Sequence, residues 1–114
     1  MTTRFLKLQR ELGIYVGCKV LVFYDSWWQG RIARVGAVRE FCTSKATGDK
    51  VVVDVLVFRG DEDYRLSFKA DDFRTGQCRA LRSVTDVVLA LAEPSLRDCD
   101  VAGLKGMLAK PEVG

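Results

Sequence analysis

Residues 51–58, VVVDVLVF, set a run of valine, leucine and phenylalanine around a single aspartate. β-branched and aromatic side chains suit a pleated surface, so this stretch reads as a strand. A second such run, CKVLVFY at residues 18–24, reads the same way. WQGRIARV supplies a plausible strand between them, and TSKATGDK carries turn chemistry. A fourth strand fits DYRLSF, where Tyr64, Leu66 and Phe68 alternate with Arg65 and Ser67. ADDFR then reads as a tight terminal turn that packs Phe73.

Either side of this β-rich middle the period becomes helical. Phe5, Leu8 and Leu12 recur at helical spacing, and Gly13 follows where a helix would stop. SVTDVVLALA begins with Ser83, an N-cap candidate, with Asp86 in the first turn and Pro94 beyond the end. A last short helix over about Val101 to Lys110 would use Asp100 as its cap, weakened by two internal glycines. The expected architecture is mainly β: a small, strongly bent barrel of four to five strands, with a short N-terminal helix and two C-terminal helices. The expected division is a helical lead-in over 1–16, the barrel over 17–75 and a helical extension packed on it over 76–114.

The balance of 18 Lys plus Arg against 15 Asp plus Glu is only mildly basic, far from a dedicated nucleic-acid coat. Basic residues predominate in the first half, whereas acid gathers at GDED, residues 60–63. Cys18, Cys42, Cys78 and Cys99 are spread singly, and histidine is absent, so the familiar zinc spacings are missing. Reduced thiols of an intracellular protein are expected. Residues 1–20 lack the apolar run of a secretory leader, and no stretch is long and apolar enough to suggest a membrane span.

FYDSWWQGRI, residues 23–32, bunches four aromatics where a turn should be. Neighbours in a strand face opposite ways, so Trp27 and Trp28 cannot both enter one small core. With the turn set around Asp25 and Ser26, Trp28 shares a side with Gly30 and Ile32 and meets Tyr24 at one end of the barrel. The second strand pair brings Phe58, Asp61 and Tyr64 to a comparable position. Ring faces attract a cation and a carboxylate adds Coulomb attraction, a combination suited to an alkylated ammonium. Phe5, Phe41, Phe68 and Phe73 are assigned to packing.

KVLVFYDSWWQGRIARV followed by VVVDVLVFRGDEDYRLSFKADDFR resembles the Tudor domain pattern of the Royal family of SH3-like barrels, over about residues 17–74. SWWQGRI is also similar to the name-giving motif of PWWP domains, without a proline beside the tryptophan pair, and KVLVFYDSWWQGRI resembles the start of a chromo barrel. The Tudor resemblance implies an aromatic cage of Tyr24, Trp28 and Phe58, with Asp61 as the acidic member and Tyr64 as a closing ring. Trp27 and Asp63 are alternates, the latter because RGDED is longer than the commonest Tudor turn.

The resemblance implies a non-catalytic reader of methylated lysine, or secondarily methylated arginine, in histone tails or other basic peptides, within a nuclear, chromatin-associated complex. Other subunits would dock on the C-terminal helices. One rival is nucleic-acid binding through Lys7, Arg10, Lys19, Arg31, Arg34 and Arg39 with rings for stacking. Another is a scaffold module that binds no methylated ligand. No nucleophile motif, phosphate-binding glycine loop, metal set or cofactor signature is visible, so neither an enzyme nor a cofactor is expected.

Overall fold

The computed structural model describes residues 3–45, 48, 50–59 and 62–109, and the side chains of Thr3, Ser44, Phe58, Arg59 and Glu62 lie outside that description. Helix α1, Thr3–Leu12, leads into strands β1, Lys19–Ser26, β2, Gly30–Ser44, β3, Lys50–Arg59, and β4, Glu62–Lys69. One helical turn, α2, Ala70–Arg74, joins β4 to the short strand β5, Cys78–Ala80. Helices α3, Val84–Leu91, and α4, Asp98–Ala109, complete the chain. The strands form one open antiparallel sheet in the order β4-β3-β2-β1-β5.

Strand β1 explains why both faces of this sheet are covered. Its residues Val20, Leu21, Val22 and Phe23 are all buried, and alternation sends them to different cores. Val20 and Val22 join Val38, Phe41, Val53, Val55, Val57, Phe68 and Cys78 in the larger cluster, to which every strand contributes. Phe5, Leu8, Leu12 and Phe73 from α1 and α2 pack into it as well, so the four phenylalanines assigned to packing do pack there. Leu21 and Phe23 face the other way, against Ala33, Leu81, Val87, Ala90 and Leu104, which brings α3 and α4 onto the sheet.

Strand β2 runs well past the stretch expected of it. Val38 and Phe41 enter the same core although three residues apart, which an unbroken strand forbids. The register shift between Val38 and Glu40 inserts Arg39 as a bulge and resets the alternation. The bulged side chain is used: Arg39 Nη1 lies 3.4 Å from Asp54 Oδ2, with Arg65 Nη1 at 3.9 Å. The one charge in VVVDVLVF is thus buried beside two guanidiniums.

Helix α3 starts as expected. Asp86 N–H donates to Ser83 Oγ at 3.2 Å, and Ser83 N–H donates back to Asp86 Oδ2 at 3.1 Å, a complete capping box. Helix α4 departs from expectation, starting at Asp98 rather than near Val101. Asp100 is not its cap. It lies inside the first turn, buried, and accepts from Arg97 Nε at 3.1 Å and Nη2 at 3.2 Å. All four cysteines are free thiols; Cys18 and Cys78 are buried, and burial pushes the Cys78 thiol up to about 12.

Candidate functional site

The β1–β2 hairpin is longer in its strands than the sequence suggested, and its turn lies farther along the chain. Asp25 and Ser26 are not the turn: they pair with Arg31 and Gly30 as the last rungs of the ladder. The connection is residues 27–29, so Trp28 belongs to the turn and not to the face shared by Gly30 and Ile32. Gly30 closes it with φ +75°, a left-handed conformation that costs glycine little. Both tryptophans therefore point into solvent, Trp27 95 % and Trp28 66 % exposed. Among the described residues neither indole makes an aromatic or cation–π contact.

Tyr24 continues the inward register of Val20 and Val22, and Tyr64 on β4 pairs with Val57 of the same core. Their half-buried rings thus stand at the rim of the larger cluster, and the two hydroxyls hydrogen-bond to each other. Burial, then the Tyr64 hydroxyl, pushes the Tyr24 phenol up to about 12, against the opposing field of Arg34 and Arg97. Phe58 pairs with Asp63 through the backbone of the β3–β4 ladder, and Asp63 is exposed. Its ring, and the whole of Asp61, lie outside the described residues. Of the expected cage, the structure brings Tyr24 and Tyr64 together and leaves Trp28 on the adjoining turn.

A titration checks the tyrosine pair. The chain holds three tyrosines, and Tyr15 is exposed. The high-pH phenolate step at 295 nm is expected to vanish in Tyr24→Phe and to move down in Tyr64→Phe. Because the folded Tyr24 keeps its proton above the ordinary value near 10, the native state binds more protons than the unfolded one between about 10 and 12. Stability should therefore fall as pH rises through that window, and fall less in Tyr24→Phe. Identical wild-type and variant curves would remove the contact.

Two arginines on this end of the sheet behave differently from a sequence count of basic residues. Arg34 is buried, and its Nη1 donates to Ala33 O at 2.7 Å and to Ser95 O at 2.8 Å. Ser95 Oγ in turn accepts from Ala33 N at 2.8 Å, so the α3–α4 connection is laced to β2. Arg34 is thereby removed from any surface that could meet nucleic acid. Arg31 stacks its guanidinium 4.9 Å from the Phe23 ring centroid, with Arg79 at 5.4 Å, and donates to Gln77 Oε1 at 2.9 Å. That arrangement was not foreseen, because β5, which supplies Arg79 beside β1, is only three residues long.

Among the described residues no three His, Cys, Asp or Glu side chains gather as a metal set. The chemistry that the rim can offer is recognition by ring faces and hydroxyls. No family model, curated protein or solved structure matches the chain.

Proposed function

We propose that this chain is a Tudor-like, non-catalytic reader whose aromatic rim takes a methylated lysine, or secondarily methylarginine, of a histone tail or other basic peptide. The observation that carries the reading is the hydrogen bond between Tyr24 and Tyr64. In the sheet order their strands are separated by two others, and neighbouring strands lie about 4.8 Å apart. Two tyrosines can touch across that span only if they lean over a strongly curled sheet. Gly36 supports the same curl, since it pairs with Val20 on one side and Val57 on the other. Curling of this kind, with every strand feeding one cluster, favours the SH3-like barrel over a flat sheet.

On this reading Tyr24 and Tyr64 form two fixed walls, the exposed Trp28 closes over the ligand, and Asp61 of the β3–β4 turn would supply the carboxylate. Hydroxyl pairing pre-organises the walls, so less ordering is needed when the ligand enters. Ring faces attract the desolvated methylammonium, and the carboxylate balances its charge. No bond is made or broken. A nuclear, chromatin-associated setting follows from that ligand, with further subunits docking on the C-terminal helices.

NMR titration with unmodified, mono-, di- and trimethyl-lysine histone peptides tests the proposal. Shifts at Tyr24, Trp28 and Tyr64 are expected with methylated peptide alone. Trp28→Ala should keep the fold, because the ring is mostly exposed. It should weaken binding about 2- to 30-fold, the equivalent of about 0.5 to 2 kcal/mol for one cation–π ring. Equal shifts with unmodified peptide, or no response of the tyrosines, would rule the reader function out.

A further inference from the structure

A concave site lies away from the aromatic rim. A cavity of about 500 Å³ opens between α1, the start of β3, the end of β4 and α2. Five basic side chains line it: Arg4 and Lys7 from α1, Lys50 from β3, Lys69 from β4 and Arg74 from α2. The β3–β4 ladder sets Val52 opposite Lys69, which brings the two strand lysines to one end of the sheet. Among the described residues two carboxylates share the wall, and both engage the Arg74 guanidinium: Arg74 Nε donates to Glu11 Oε1 at 2.7 Å, and Arg74 Nη1 to Asp71 Oδ1. Leu8, Val51 and Ala70 give the cavity an apolar floor.

Gathering like charges in one hollow is unfavourable by itself, and the chain as a whole carries a formal charge of only +3. Concentrated here, the positive charge makes an electrostatic funnel with low-dielectric walls. Lysine is a compact point charge suited to phosphate oxygens, and the volume exceeds what a single phosphate needs. We propose that this cavity binds a ligand bearing several phosphate groups close together, either a small organic polyphosphate or a turn of nucleic-acid backbone. The proposal stands on the cavity and does not depend on the aromatic rim.

The test uses the full chain with two probes: adenosine triphosphate by calorimetry, and a short fluorescein-labelled single-stranded DNA by anisotropy across a salt series. Lys7→Glu with Lys69→Glu, both exposed positions, is expected to weaken binding roughly tenfold or more. For the DNA it should flatten the slope of log K against log salt by roughly 1 to 1.5, about 0.7 per lost phosphate contact. Asp71→Asn removes a wall carboxylate and should strengthen binding, a gain that a merely structural role would not produce. Triphosphate binding with these responses assigns a small polyphosphate; DNA binding alone with the same responses assigns a nucleic-acid backbone. Failure of both probes to bind, or binding that survives the double reversal, overturns the proposal. The double variant should still show methylated-peptide shifts at Trp28, which separates this site's failure from that of the reader.

Discussion

Gly36→Ala is expected to destabilise the protein by about 3 kcal/mol, the upper range for overpacking a filled interior. A Cβ at this position would stand 2.7 Å from the Leu56 carbonyl oxygen and 2.7 Å from Val55 Cγ1. The valine methyl can rotate, but the carbonyl belongs to the β2–β3 ladder, where Ala37 pairs with Leu56. Relief therefore means separating the strands at the residue where β2 passes from one neighbour to the other. Gly106→Ala makes the contrast, since a Cβ there meets nothing within 4 Å and the residue lies inside α4. That change should stabilise by about 0.5 to 1 kcal/mol through helix propensity and a less flexible unfolded chain. Chemical denaturation followed by circular dichroism measures both. Gly36→Ala unfolding at the wild-type midpoint would show that the strands do not approach so closely. Tryptophan emission is a poor reporter here, because both indoles are already solvent-facing.

Leu104→Ala is the second large effect, expected near 3 kcal/mol within the range of about 2 to 5 for a buried leucine. Leu104 is 0 % exposed and sits among Leu21, Phe23, Leu81 and Val87, joining α4 to the outer face of the sheet. Leu89 of α3, 57 % exposed, supplies the control, and its alanine variant should stay within about 0.5 kcal/mol of wild type. β1 feeds both cores, so the loss should appear in one cooperative transition rather than as separate release of the helices. An early, separate step in Leu104→Ala would mean that the two faces are held independently.

The strands were readable wherever alternation or a β-branched run reached far enough, as in VVVDVLVF and DYRLSF, and so was the Ser83–Asp86 cap, which is local chemistry. The far half of β2 was not. The Arg39 bulge breaks the period that would have revealed it, and Gly36 contributes no side chain to the pattern. Asp100 looked like a cap because its partner, Arg97, is recognisable only once α4 begins earlier than the apolar spacing implies. At the candidate site Tyr24 and Tyr64 could be chosen from the sequence, but the turn was set two residues early. That slip moved Trp28 from a strand face to the hairpin tip. The Tyr24–Tyr64 hydrogen bond joins residues 40 apart and has no local signal. The cationic cavity was equally invisible, since its residues come from four separate elements.

The Arg34–Ser95 lacing also bears on where the chain could be shortened. Ala33 N–H and the Arg34 guanidinium both end on Ser95, in the connection between α3 and α4. A fragment stopping after β5 would strip these partners from a buried cation and uncover Leu21, Phe23 and Ala33 on the outer face. It would also leave the Ala33 N–H, on a part of β2 that β3 does not reach, without its acceptor and open to pairing with other chains. Such a fragment would associate with itself rather than persist as a smaller monomer, and the smallest piece able to fold alone must reach through α4.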